Sequence, residues 1–144
     1  MKVLVQRTSN ASVSINNKIY SKIDSGLVLL VGFTETDTID DIKYLAKKVV
    51  NLRIFPDSNE VMNKSILDYG GDILSISQFT LYADTSKGNR PSYIKALNGK
   101  EATKLYDLFN EELKKYVNVK TGVFGSDMTV SINNIGPTTI ILER

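Results

Sequence analysis

A chain of 144 residues with 42% hydrophobic and 24% charged side chains and a net charge of +2 has the makings of one folded domain, burying about 70% of its extended surface. With neither cysteine nor histidine present, disulfides, thiolate nucleophiles, Ser-His-Asp and Cys-His catalysis and His- or Cys-ligated metals are excluded. The longest apolar run, Leu27 to Val31, is far shorter than the ~20 residues of a membrane span, and the opening MKVLVQR reads as a strand rather than a secretion signal. A cytoplasmic protein with no membrane partner, no metal and no cofactor is expected.

In chain order, Ala11, Val13 and Ile15 alternate with Ser12, Ser14 and Asn16. Asn16-Asn17-Lys18 then offers turn chemistry before Ile19, Tyr20 and Ile23, which predicts a hairpin. The apolar run between Gly26 and Gly32 predicts a strand covered on both faces. From Asp37 the spacing of Ile39, Ile42, Leu45, Ala46, Val49 and Val50 is helical. Asp37, Asp40 and Asp41 are expected in the first turn and Lys47 and Lys48 in the last, matching the helix dipole.

A second helix is predicted from Ala102, Leu105, Tyr106, Phe109, Leu113 and Tyr116, preceded by Gly99 and Lys100 and carrying Lys104, Asp107, Glu111, Lys114 and Lys115 on its opposite face. The chain then returns to strands at Val117–Lys120, Met128–Asn133 and Thr139–Leu142. No repeat, linker or low-complexity tract interrupts it. Many strands with two main helices predict an α/β (α+β) fold in a single domain, 1–144: a curved, antiparallel-rich, barrel-like sheet flanked by helices.

Three segments stand out. Between Asp72 and Tyr82 the apolar residues occupy even positions at Leu74 and Ile76, then odd ones at Phe79 and Leu81. A change of face within one strand implies a bulge, a twist or two environments; the plain alternative is a strand edge whose Ser77, Gln78 and Thr80 meet solvent. Asn133 to Thr139 holds Gly136-Pro137 between two strand patterns, where a turn is the ordinary expectation. The loop Thr85 to Ser92 is polar and basic. From Ala83 to Lys104 five cations (Lys87, Arg90, Lys95, Lys100, Lys104) face two anions (Asp84, Glu101), so a phosphate partner for Lys87 and Arg90 is plausible beside the reading of a solvated loop.

Taken together, VQR at 5–7, NLRIF at 51–55, SQFTLYAD at 77–84, KGNRPS at 87–92, TGVFGSDM at 121–128 and NNIGPTT at 133–139 make the chain resemble the D-aminoacyl-tRNA deacylases from end to end. The resemblance implies a homodimer of barrel-like subunits acting on the 3′ end of aminoacyl-tRNA, with active sites at the subunit interface and DNA not a partner. It implies that Ser77, Gln78, Phe79 and Thr80 form one wall of the site. Gly136 and Pro137 of the partner subunit would form the other, through a cis peptide that Arg7 helps to hold. Phe124, Gly125 and Met128 would lie near the terminal adenosine, and Ile135 and Thr138 stand where the family pattern has an acidic residue and a valine.

Hydrolysis of an activated ester needs a held carbonyl, donors for the oxyanion and a nucleophile. Backbone N–H groups around Phe79 and Thr80 are candidate donors. The family is thought to use a ribose hydroxyl of its own RNA substrate as the assisting group, which suits a chain without His or Cys. Thr80 as a covalent nucleophile is the alternative, although no usual partner is present to deprotonate it. Two rival functions are the related editing domain of archaeal threonyl-tRNA synthetases, which removes an L-amino acid, and a non-catalytic binder of tRNA ends that uses Lys87, Arg90 and the basic second helix.

Overall fold

Asn16 and Asn17 have φ of 49° and 62°, the left-handed pair that a type I′ hairpin turn requires. They join β1 (Lys2–Ile15) to β2 (Lys18–Ile23), and β3 (Gly26–Gly32) follows after two residues. The computed structural model describes residues 1–144, and β1 is its hub. Residues Lys2 to Thr8 of β1 pair antiparallel with β3, and Ala11 to Ile15 pair antiparallel with β2. The opposite edge of β1 is followed by β8 (Thr129–Glu143), from Lys2 against Glu143 to Ser14 against Thr129.

On the far side of β3 the sheet becomes parallel. β6 (Asp72–Ser77) pairs with β3, and β7 (Val119–Thr121) pairs with β6. Each parallel pair needs a crossover, and the two main helices supply them: α1 (Ile39–Val50) between β3 and β6, and α3 (Gly99–Lys114) between β6 and β7. The hydroxyl of Ser21 on β2 donates to the carbonyl of Thr121 on β7 at 2.8 Å, tying the ends of the path and nearly closing the barrel. A two-stranded ribbon of β4 (Phe55–Pro56) and β5 (Met62–Lys64) and the single-turn helix α2 (Ile66–Tyr69) lie between α1 and β6.

The core divides with the two faces of this sheet. Val3, Val5, Leu27, Leu29, Val31 and Ile73 meet α1 and α3 in one cluster, while Ala11, Val13, Ile23, Val28, Leu74 and Ile76 fill the barrel interior. β3 is thus apolar on both sides, as expected of a strand buried on both faces, whereas β6 places Leu74 and Ile76 in the barrel and Ile73 with the buried Ser75 on the helix side. Thr38 caps α1 reciprocally with Asp41: the Asp41 N–H donates to Thr38 Oγ1 at 3.2 Å and the Thr38 N–H to Asp41 Oδ2 at 3.0 Å. Such a cap stabilises a helix by about 1 kcal/mol. Asn98 caps α3 by accepting from the Glu101 N–H at 3.1 Å.

Four expectations are corrected. Asp37 precedes the cap of α1 instead of lying in its first turn, and accepts from the Met1 amino group and from the Thr34 N–H. Tyr116 falls beyond the end of α3 and is exposed, while Val117 packs on the core instead. The lysines of α3 do not form a free basic face, because Lys104, Lys114 and Lys115 pair with Glu101, Glu111 and Glu112. Gly136-Pro137 is not a turn between two strands. Strand β8 runs through it, with the peptide bond before Pro137 cis. The ladder passes from Gln6 against Thr139 to Thr8 against Asn134, so residues 135 to 138 bulge opposite Arg7 alone. A bulge of this kind accommodates a proline that cannot donate to the ladder.

Candidate active site

Strand β6 ends at Ser77, where the Gln78 N–H makes a last bond to the Val31 carbonyl at 2.7 Å. Phe79–Tyr82 then form a 3₁₀ turn, with Leu81 N–H donating to the Gln78 carbonyl and Ala83 N–H to that of Thr80. The change of apolar face within SQFTLY is therefore a change of element, from a repeat of two to a repeat of three, rather than a bulge inside one strand. A helical turn leaves its first N–H groups without internal partners. Those of Phe79 and Thr80 stand in that position, ahead of the first internal bond. The Gln78 side-chain amide donates to Thr80 Oγ1 across the same turn.

Beside this turn lies a cavity of about 300 Å³, within the size range of small-molecule sites. Ser77, Gln78 and Phe79 form one side. Phe124, Gly125 and Met128, in the turn between β7 and β8, form another, and Val31, Phe33, Leu97 and Ala102 supply an apolar floor. Of the lining residues only Asp127 carries an ionisable side chain. Nine of its 15 lining residues are hydrophobic, and Ser77, Gln78, Ser126 and Asp127 supply polar side chains, a composition usual for small-molecule sites.

Local packing explains the wall formed by the 122–128 turn. Met128 tucks its sulfur under Gly122, whose added Cβ would lie 2.6 Å from Sδ, and the Val123 N–H donates to that sulfur at 3.4 Å. Phe124 packs against the Tyr106 ring at 5.8 Å between centroids. The Tyr106 hydroxyl in turn donates to the Ser75 carbonyl at 2.7 Å. Burial pushes that phenol upward from its usual range, against the lowering effect of the Ser75 bond, so Tyr106 acts as a neutral donor that fixes α3 to β6.

The predicted residues fall into three groups. Ser77, Gln78, Phe79, Phe124, Gly125 and Met128 converge on the cavity, and Thr80 stands next to it through its bond to Gln78. Arg7, Gly136 and Pro137 form a separate group outside the cavity of the same protomer. Arg7 Nη1 donates to the Ile54 carbonyl at 2.6 Å, and its Nη2 lies 3.3 Å from where a Gly136 Cβ would project. Lys87 and Arg90 lie in an exposed loop, neither in an ion pair. That loop is closed by a bridge between Asp84 and Ser92 and pinned by Lys95, which pairs with Asp84 at 3.3 Å. Hydrogen bonds from Ser86, then the Lys95 charge, hold the Asp84 carboxyl down at about 2.

Val31, Phe33, Leu97 and Ala102 were not singled out from sequence, because an apolar lining residue has the same signature as a core residue. Gly32 carried the one usable signal. A Cβ there would lie 2.9 Å from the Gln78 carbonyl, so the glycine that ends the apolar run also lets the SQF segment approach β3.

A mixed, nearly closed barrel whose strand end and adjoining turn frame an apolar cavity has the layout of a ligand site built at a strand end. Comparison with known proteins gives that layout its family. A family model described as D-Tyr-tRNA(Tyr) deacylase matches residues 4–143. A protein of Clostridium botulinum (strain 657 / Type Ba4), named D-aminoacyl-tRNA deacylase, is 54% identical over 144 residues, covering 99% of this chain and 97% of the relative. One of the same name from Listeria monocytogenes serotype 4a (strain HCC23) is 56% identical, covering 99% and 95%.

Among solved structures, the c-Myc DNA Unwinding Element Binding Protein superposes with a TM-score of 0.95 at 38% identity, over 100% of this chain and 99% of that one. A probable eukaryotic D-amino acid tRNA deacylase superposes at 0.84 with 17% identity, over 98% and 97%, a likeness of fold. The chain belongs to the D-aminoacyl-tRNA deacylase family of hydrolases.

Proposed function

We propose that this chain hydrolyses the ester of D-aminoacyl-tRNA, releasing the free D-amino acid and the tRNA, and leaves L-aminoacyl-tRNA intact. The observation that carries the proposal is the convergence of Ser77, Gln78 and Phe79 with Phe124, Gly125 and Met128 on one cavity. In this reading the terminal adenosine fills the cavity between Phe124 and Met128, which brings its esterified ribose to the SQF rim. The N–H groups of Phe79 and Thr80 receive the oxyanion as water adds to the carbonyl. One such donor is typically worth about 2.7–4 kcal/mol.

As water adds to the carbonyl, its proton passes to the neighbouring ribose hydroxyl of the substrate. That hydroxyl hands its own proton to the departing 3′ oxygen as the ester C–O bond breaks, leaving the free amino acid and the restored 3′ hydroxyl. This assignment is supported by the composition of the rim, where the sole ionisable group is Asp127. Thr80 is a poor nucleophile here, since the group that meets its hydroxyl is an amide donor and not a base.

The site is completed by a second copy of the chain. Strand β8 is 15 residues long and pairs only with β1, with Ile135 and Ile141 exposed on it. A long edge strand of this kind is ordinarily covered. Gly136 and Pro137 lie on this strand and outside their own protomer's cavity, which supports their serving as a wall for the neighbour's. Backbone carbonyls of that wall accept from the substrate's ammonium group, and an L side chain then meets the wall while a D side chain points to open space. A filter of this kind rejects by clash, so glycyl-tRNA is also hydrolysed. Lys87 and Arg90 take tRNA phosphates, and the setting is cytoplasmic.

A second reading, nucleic-acid binding without turnover, draws on the likeness to the c-Myc DNA Unwinding Element Binding Protein. Both readings are tested by initial rates of hydrolysis of matched D- and L-tyrosyl-tRNA by the purified protein. Loss of the D ester alone supports the deacylase, equal loss of both defeats the chiral filter, and binding of both without loss of either supports the second reading.

A further inference from the structure

Phe79 lines the cavity, yet 56% of its surface is exposed, and Tyr93, which packs against it, is itself 39% exposed. The Phe79 and Tyr93 rings meet edge to face at 4.9 Å between centroids. An aromatic pair that opens outward beside a cavity is not explained by core packing. The segment that carries it is well anchored, because Thr34 Oγ1 donates to the Lys95 carbonyl at 2.6 Å and the Leu97 N–H to the Phe33 carbonyl at 2.9 Å. Within the same loop Lys87 and Arg90 have no carboxylate partner, while Lys95 is neutralised by Asp84.

Aromatic faces beside unpaired cations are the combination that binds single-stranded nucleic acid, with stacked bases on the rings and phosphates on the cations. We infer that Phe79 and Tyr93 form a stacking platform for the penultimate nucleotide of the tRNA 3′ strand, immediately outside the cavity that holds the terminal adenosine. The inference rests on the deacylase reading for which strand is bound. Phe79 is the link between the two places, with one side toward the cavity and the other toward Tyr93. A strand that ends in the cavity and leaves over Phe79 reaches the Tyr93 face next, and then the loop of Lys87 and Arg90. Charge favours RNA over a second copy of this chain as occupant, since each copy would bring the same unpaired cations to the contact.

The platform separates binding of the strand from chemistry at its end. A short single-stranded RNA ending in adenosine, with 2-aminopurine as its penultimate base, is titrated with the native protein and with Tyr93→Ala and Tyr93→Phe. Stacking is expected to quench the fluorophore in native protein and Tyr93→Phe, and Tyr93→Ala is expected to weaken affinity about tenfold, within the range of one stacked base, and to lose the quench. With D-aminoacyl-tRNA as substrate, Tyr93→Ala is expected to raise KM by a similar factor with kcat little changed. Equal quenching and affinity in all three proteins would overturn the platform. So would a loss in Tyr93→Ala that accompanies dissociation of a dimer on a sizing column, because the face would then belong to a second copy. The quench does not depend on turnover, so a native protein that quenches and fails to hydrolyse contradicts the deacylase reading and not the platform.

Discussion

The side-chain amide of Gln78 donates to the hydroxyl of Thr80 across the first turn after β6. A donor in that place occupies a lone pair of the hydroxyl and cannot take its proton, which supports the proposal that Thr80 positions rather than attacks. Thr80→Ala is expected to lower kcat about tenfold or less, the size of one neutral hydrogen bond. Loss of a covalent nucleophile costs orders of magnitude more, and a drop of that size in single-turnover hydrolysis would return Thr80 to the centre of the reaction.

Asp127 is the one ionisable side chain on the cavity, and it tests whether the chain itself supplies a base. General bases contribute about 10²–10⁴-fold. Asp127→Asn is expected to retain activity within about threefold, read from initial rates at saturating substrate across pH 5 to 8. A fall of about a hundredfold would show that the carboxylate takes the proton.

Gly136 has φ of +114°, and an added Cβ would lie 2.6 Å from Thr138 Oγ1 and 2.8 Å from the Thr138 nitrogen. Alanine there meets both an unfavourable backbone region and Thr138, two residues on. Gly136→Ala is expected to destabilise the fold by about 1–3 kcal/mol in urea unfolding and to lower the ratio of D to L hydrolysis, because the displaced segment is the proposed chiral wall. Selectivity unchanged in a destabilised variant would separate the segment from substrate discrimination.

Lys87 and Arg90 have no ion-pair partner, so each is available to a phosphate. Each contact to a single strand adds about 0.7 to the slope of log affinity against log salt. The double change to alanine is expected to flatten that slope by about 1.4 while leaving the preference for D over L esters intact. An identical slope would mark the loop as merely solvated.

The segments read correctly from sequence were those whose periodicity belonged to one element with one environment: the β1–β2 hairpin, β3, and the apolar faces of α1 and α3. Errors fell where elements met. The end of β6 and the 3₁₀ turn of Phe79–Tyr82 merged into one apparent strand, since a single shift of apolar parity looks the same whether the chain bulges or changes its repeat. Gly136-Pro137 looked like a turn because local chemistry does not reveal a neighbouring strand, here β1 at Arg7, that tolerates a bulge. The polar rim of the site was legible because Ser77, Gln78 and Thr80 are conspicuous at the end of an apolar strand. Its floor was not, because Val31 and Phe33 are indistinguishable from core until the cavity beside them is seen.

The central claim is that the chain supplies a shaped cavity and backbone donors while a ribose hydroxyl of the substrate relays the proton from the attacking water to the departing oxygen. The most direct test compares single-turnover hydrolysis of two D-aminoacyl-tRNAs, each carrying its ester fixed at the 3′ position, one ending in adenosine and the other in 2′-deoxyadenosine. Both are expected to bind with similar affinity, with hydrolysis of the deoxy substrate nearly abolished. Undiminished hydrolysis of the deoxy substrate would contradict the account and place the missing group on the protein.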